Sequence, residues 1–201
     1  MFPLSKLYPV HEIFDSIQGE GVWTGIPATF IRLQGCNLRC PWCDTKDTWS
    51  GASKDMTPSD ILSKIHFEHV IITGGEPLLH DLTDLLERLD TANKKIHIET
   101  NGTQPWKESY PTDAWITVSP KMESDYSIHS SLQARVNEYK FVVDDAFNPD
   151  RVADYLSYKS QIIYLSPENV RPEMVKKAID IVYKYPHCRL MVQVHKLIGV
   201  E

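Results

Sequence analysis

What this chain lacks narrows its class before any motif is read. Across 201 residues no apolar run approaches the ~20 residues that span a bilayer, so no membrane partner is expected. Hydrophobic residues are 42% and charged residues 24%, the balance of a protein that folds in water around its own core. Basic residues form no cluster: lysine and arginine total 21 against 27 aspartates and glutamates, a formal charge of −6. Direct binding to nucleic acid needs a basic face, so the expected partner is a small molecule. Met1 to Phe14 interrupts its apolar residues with Pro3, Lys6, Pro9, His11 and Glu12, which excludes the apolar stretch of a secretion signal and predicts a cytoplasmic protein. No repeat, low-complexity segment or long linker divides the chain, so residues 1–201 are expected to form one domain.

Cysteine is also scarce. Cys36, Cys40 and Cys43 fall within eight residues and Cys188 stands far away, a poor pattern for disulfides and a good one for metal in a reducing compartment. Three thiolates spaced C-x3-C-x2-C can hold three irons of a cubane and leave the fourth with an exchangeable position. The alternative is a structural zinc knot completed by one of eight histidines or by Cys188, although zinc sites more often show paired C-x2-C or C-x2-H units. Cys188 itself reads as an inert core residue.

Strand-like runs occupy Ala28–Leu33, His69–Thr73, Ile96–Thr100, Trp115–Ser119, Tyr139–Val143, Ile162–Leu165 and Leu190–Val194. Between them lie helical patterns. Thr57 is placed to cap a helix with Pro58 first inside and Asp60 three residues on, leading to Ile61, Leu62 and Ile65. Helical spacing recurs in Leu82, Leu85, Leu86 and Leu89, in Val152, Tyr155 and Leu156, and in Val175, Ala178, Ile179 and Val182. Such alternation predicts an α/β fold with a parallel sheet, open or curled into a partial barrel. The carboxyl ends of parallel strands share one rim, so Thr73–Pro77, Glu99–Thr103, Ser119–Lys121 and Ser166–Asn169 should line one mouth.

The cysteine spacing after one strand and Gly74-Gly75-Glu76-Pro77 after the next resemble the radical S-adenosylmethionine (SAM) superfamily. Ser16 to Gly21, Arg32, Cys43-Asp44-Thr45, Glu99 to Thr103 and Ser119-Pro120-Lys121 narrow the resemblance to the 7-carboxy-7-deazaguanine synthase family, nearly end to end. The resemblance implies an open, partial TIM-like barrel with a reduced helical layer. It also implies a [4Fe-4S] cluster on the three cysteines, SAM chelated at the free iron, and a 5′-deoxyadenosyl radical made by one-electron cleavage of its sulfonium bond. The implied reaction is ring contraction of 6-carboxy-5,6,7,8-tetrahydropterin to 7-carboxy-7-deazaguanine with loss of ammonia, toward queuosine and other 7-deazapurines. Hydrogen abstraction from C6 would start it, followed by magnesium-assisted rearrangement. Expected partners are the pterin, a reductase or flavodoxin or ferredoxin as electron donor, and a second copy in a homodimer.

The same resemblance assigns residues. Ile17, Gln18 and Gly19 would contact substrate. Glu20 joins them because a carboxylate on a glycine-flanked loop can accept from guanidine-like N–H donors, although Gly19 and Gly21 would equally suit a plain turn. Arg32, interrupting an apolar strand, would bind the substrate carboxylate bidentately, or else is a solvated edge residue. Thr73 would contact substrate. Thr45 is read from sequence as an N-cap, while the family gives its hydroxyl a share of an Mg2+ site. Trp42, Asp44, Gly75, Glu76, Ser119, Pro120 and Lys121 would contact SAM, with Glu76 also able to orient its loop. Glu99 and Asn101 suit the ribose or ammonium group, and Ser166, Pro167, Glu168 and Asn169 the adenine, unless the last four merely lead into the helix at Pro172. The segment Gln193 to Glu201 resembles a final strand and tail that closes over substrate, with no chemical role for His195. Two rivals stay open: a glycyl-radical activating enzyme, which shares the cysteine spacing, and a zinc-binding interaction module.

Overall fold

The computed structural model describes residues 6–111 and 113–200; Met1 to Ser5, Thr112 and Glu201 lie outside the described residues. Among the described residues nine strands form one sheet: β1 (Tyr8–Ile17), β2 (Pro27–Leu33), β3 (Lys54–Met56), β4 (His69–Gly74), β5 (Lys95–Thr100), β6 (Trp115–Val118), β7 (Glu138–Val143), β8 (Ile162–Pro167) and β9 (Arg189–Leu190). Their order is β3-β1-β2-β4-β5-β6-β7-β8-β9. From β2 to β9 every neighbour is parallel, and β1 runs antiparallel to both β2 and β3. Along the parallel run from β2 to β9 the spatial order follows the sequence, without the switch point of a doubly wound sheet; only β3 turns back, to pair on the far side of β1. The sheet curls one way and stays open, with β3 and β9 at its edges, as the partial-barrel reading required.

The α-helices among the described residues are α1 (Pro58–Leu62), α2 (Thr83–Thr91), α3 (Ser130–Gln133), α4 (Ala153–Leu156), α5 (Pro172–Lys184) and α6 (Val194–Ile198). Strand alternation sends Ile31, Ile72 and Ile98 into one continuous core with Leu82, Leu85, Leu86 and Leu89 of α2, all fully buried. The opposite face carries a smaller cluster of Ala28, Phe30 and Ile71 with Phe14, beside polar side chains such as Arg32, Thr73, Glu99, Thr117 and Lys140. That face lines the site.

Thr57 caps α1 as its spacing predicts: its Oγ1 accepts the Asp60 N–H at 3.2 Å while the Asp60 carboxylate accepts the Thr57 N–H at 3.1 Å. The helix stops at Leu62, so Ile65 packs from a following turn. In α5 the fully buried stripe is Met174, Ala178 and Ile181, rotated from the predicted face, of which Val175, Ile179 and Val182 are only half-buried. The helical layer is indeed thin. α3 and α4 are single turns, and no helix joins β5 to β6 among the described residues.

Two strands escape the sequence reading. β1 has a register shift between Val10 and Glu12, which breaks the alternation that marks a strand. β3 is only three residues long. Conversely, Leu190–Val194 is not a strand as predicted: β9 ends at Leu190, and Val194 opens α6. Gln193 and Val194 are drawn away from the sheet by hydrogen bonds to Glu20 and to the Gly19 carbonyl.

Candidate active site

The carboxyl ends of the parallel strands and the concave face beneath them enclose a cavity with about 1370 Å³ of free space including its mouth. Its lining mixes apolar and aromatic side chains with charged and hydroxyl groups, the character of a small-molecule site. The predicted convergence occurs: Thr73 and Gly75, Glu99 and Asn101, Ser119 and Lys121, and Ser166 through Asn169 all line this one cavity. So do Ile17, Gln18, Glu20, Arg32, Trp42, Asp44, Thr45 and the three clustered cysteines. Three predicted residues do not reach it. Gly19 lies under the tail, where a Cβ would fall 2.0 Å from His195 Nδ1. Pro120 is buried, and the Glu76 carboxylate points inward.

Glu76 is the organiser of the rim. Its fully buried carboxylate accepts from Leu78 N–H at 2.9 Å, Asn101 N–H at 2.7 Å and Thr100 Oγ1 at 2.7 Å. Burial raises its pKa against the pull of those donors. It therefore orients the turn after β4 and the end of β5 instead of meeting a ligand. The Gly74-Gly75 turn sits where side chains cannot. Gly74 has φ +143°, and a Cβ on Gly75 would lie 2.1 Å from the Gly35 carbonyl oxygen and 2.8 Å from Cys36 Cβ. Gly75 lines the cavity with its N–H already committed to the Leu33 carbonyl at 3.1 Å.

That close approach locks the cysteine loop against the β4 turn. A second tie runs through Asn37, whose side chain accepts from Asn101 Nδ2 at 3.1 Å and donates to Thr103 Oγ1 at 2.8 Å. Burial pushes the Cys36 thiol up and the Cys40 thiol up to about 12, with Glu123 Oε2 3.3 Å from Cys40 Sγ adding to the latter. Without a metal these thiols keep their protons, and a bound metal must displace them. Among the described residues no three His, Cys, Asp or Glu side chains gather as a single ion needs. Cys188 is buried in the main core near the Leu156 carbonyl and is no candidate for a fourth ligand. Cys36, Cys40 and Cys43 nevertheless line the same cavity from one short loop, a donor set of three thiolates that fits a multi-iron cluster, whose corners spread its ligands apart.

The Gln18–Ile26 loop enters from the opposite end of the sheet, since Ile17 pairs with Pro27 at the start of β2. It folds up inside the curl and forms the floor. Gln18 Nε2 donates to Glu99 Oε1 at 3.2 Å, and Thr73 Oγ1 donates to Glu99 Oε2 at 3.3 Å. Trp23 packs below, with ring centroids 5.3 Å from both His69 and His97 and 5.6 Å from Trp115.

Arg32 lies between strands β1 and β4 in the sheet and is 17% exposed, so it is no solvated edge residue. Its Nε donates to Glu12 Oε1 at 2.6 Å and its plane lies over Phe14, which aims the guanidinium into the cavity. Thr45 occupies an N-cap position, yet its hydroxyl makes no capping bond and instead donates to Asp44 Oδ1 at 3.1 Å. The Lys121 ammonium lies 4.8 Å over the Trp42 ring and 2.6 Å from Ser119 Oγ. Burial and the neighbouring Lys140 lower its pKa to about 8.

Sequence reasoning missed Lys140 on the cavity wall, and in the tail that it read as closing over substrate it gave no individual task to Gln193, His195 or Lys196, which line the cavity too. Lys140 could have been noticed as the one charge inside Tyr139–Val143. The others belong to the tail, whose path depends on tertiary contacts: Lys196 Nζ reaches Asp44 Oδ2 at 3.3 Å and Asn169 Oδ1 at 3.4 Å. His195, given no role from sequence, is half-buried beside Glu20, and burial lowers its pKa.

Comparison with known proteins gives a consistent family. Residues 30–116 match the model of the Radical SAM superfamily. The chain is 38% identical to 7-carboxy-7-deazaguanine synthase of Aquifex aeolicus, covering 97% of this chain and 95% of that protein. It is 33% identical to the enzyme of that name from Escherichia coli, over 96% and 99%. The crystal structure of QueE from Escherichia coli superposes with a TM-score of 0.81 at 32% identity, covering 93% of this chain and 94% of that one.

Proposed function

The chain belongs to the 7-carboxy-7-deazaguanine synthase family of radical SAM enzymes, and from that premise we propose that it converts 6-carboxy-5,6,7,8-tetrahydropterin to 7-carboxy-7-deazaguanine and ammonia within this cavity. The observation that carries the reading is the junction of two chemistries in one enclosure: a loop bearing three cysteines, and a polar floor with the Glu20 and Glu99 carboxylates and the Arg32 guanidinium. When bound, the [4Fe-4S] cluster and SAM supply hydrogen-atom abstraction from a C–H bond.

The chain's own residues have three tasks. Cys36, Cys40 and Cys43 hold the cluster at the mouth, braced by Gly75 and Asn37. Trp42, Asp44, Gly75, Asn101, Ser119, Lys121 and Ser166 to Asn169 would bind SAM beside it, with Glu99 shared between the two ligands. Ile17, Gln18, Glu20, Arg32 and Thr73 would hold the pterin below, Arg32 on its carboxylate and Glu20 on its N–H edge. Thr45, with its hydroxyl turned from the cap, is the side chain we assign to Mg2+ together with substrate oxygens and water. A reactive carbon attacks any near C–H bond, so the enclosure must fix the target hydrogen and exclude water.

We read residues 1–201 as one radical SAM domain, supported by a core that runs from β1 to α5. No helix among the described residues is long and apolar enough to cross a membrane, and a cytoplasmic setting with a flavodoxin, ferredoxin or reductase donor and a homodimer fits the family. The test is an oxygen-free assay of reconstituted protein with reductant, SAM and carboxytetrahydropterin. It should yield the deazaguanine product; cluster assembly and SAM cleavage without product would reject the pterin substrate.

A further inference from the structure

The floor holds a buried cation that the reading above leaves without a task. Lys140, third residue of β7, has a side chain 14% exposed, and its ammonium pairs with Glu20 Oε2. The other Glu20 oxygen accepts from Gln193 Nε2 at 2.8 Å, and Glu20 N–H donates to Gln18 Oε1 at 3.1 Å. Two residues earlier on the same face, Glu138 accepts the Val22 N–H at 3.1 Å and Thr117 Oγ1 at 2.8 Å. β7 thus grips the floor loop on both sides of Gly21.

We propose that Lys140 is a positioning residue that holds Glu20, as a carboxylate and in one orientation, for the N–H edge of the pterin. This rests on the assignment of the cavity floor to the pterin. A carboxylate buried as Glu20 is would take up a proton if left alone, and a protonated acid presents a donor where the ligand's N–H groups need acceptors. Burial does push Glu20 upward; the Lys140 ammonium, with the Gln193 amide, outweighs it and holds the acid below its usual range. Glu20 and Glu99 in turn hold Lys140 above its own. His195 from the tail, Asp44 from the cysteine loop and Lys121 after β6 complete the charged groups around the pair. Each carboxylate oxygen keeps a second lone pair, so Glu20 can serve lysine and ligand together.

The test uses reconstituted holoenzyme and four variants: Lys140→Met, Lys140→Gln, Glu20→Gln and the double variant Glu20→Gln/Lys140→Met. Readouts are iron content, KM for SAM, KM for the pterin, and equilibrium binding of oxidised 6-carboxypterin followed by its fluorescence. Lys140→Met should weaken pterin binding and raise its KM at least ~10-fold, the scale of one lost charge-assisted hydrogen bond, with iron content and the KM for SAM unchanged. Added to Glu20→Gln, it should cost nothing further, because it acts through that side chain. Unchanged pterin affinity in Lys140→Met, additive losses in the double variant, or a KM for SAM that rises in step would each overturn the proposal. If Lys140→Met does not fold, Lys140→Gln carries the same expectations. Wild-type protein that makes no deazaguanine and binds no pterin would remove the functional reading as well; wild-type activity with an indifferent Lys140 removes only this inference.

Discussion

Arg32 gives its Nε to Glu12 and lines the cavity, where the proposed function sets its guanidinium against the pterin carboxylate. With Nε on Glu12 and Cζ 5.4 Å over the Phe14 ring, the side chain is held from two sides, and a guanidinium so placed can meet a carboxylate through two parallel bonds. Lysine at this position keeps the charge but loses the fork, so Arg32→Lys should raise the KM for the pterin roughly 10-fold or more and leave iron content unchanged. Thr45 makes a separate prediction. With its hydroxyl free of the cap, magnesium should raise turnover several-fold over chelated assays, and Thr45→Val should abolish the difference. The cysteines and Arg32 were legible because their chemistry is local or because charge interrupts an apolar strand. Lys140 was equally an interruption, but its meaning lies in Glu20, 120 residues away, which no spacing rule connects to it.

At the scale of elements, the turn after β4 and the cysteine loop form one joint. Gly75→Ala would put a methyl group 2.1 Å from the Gly35 carbonyl and against Cys36, and backbone at that distance must move. The expected result is a folded protein that takes up little iron and shows weak visible absorbance after reconstitution, while far-UV circular dichroism stays close to wild type. The two glycines were visible in the sequence, and so was the capped start of α1. Their partners were not, because a turn's allowed backbone angles are local while the surface it packs on belongs to another strand. β1 was hidden for a related reason: a bulge costs a strand its alternation without costing it its hydrogen bonds.

At the scale of the molecule, the curl is sealed below by Trp23 and the His69–His97 pair, whose ring nitrogens lie 2.9 Å apart. Burial first, and then His69, lowers the pKa of His97 to about 4 from the ordinary ~6.5. Between those values the unfolded chain binds a proton that the folded one does not, so stability is full above pH ~6.5 and falls as the pH drops toward 4. The contribution is up to about 3 kcal/mol, and His97→Gln should flatten the acid limb of urea-midpoint curves measured from pH 7 to 4.5. The tail closes the opposite wall. A chain ending at Val192 loses the Gln193, Val194 and Lys196 contacts to the floor loop and to Asp44 and Asn169, so it should keep its cluster yet bind the pterin at least ~10-fold more weakly.

The amino-acid order alone settled what depends on near neighbours: three thiols on one loop, a glycine pair that only a sharp turn explains, and strands alternating with helices toward a parallel sheet. Tertiary structure decided everything that requires distant segments to meet. It turned Glu76 inward as a brace, put the Gln18–Ile26 loop under the cavity, bent Gln193 out of the sheet and set Lys140 against Glu20. The physical reason is that a side chain's hydrogen-bonding capacity is written in its own residue, whereas the partner that satisfies it once water is excluded is chosen by the curl of the whole sheet.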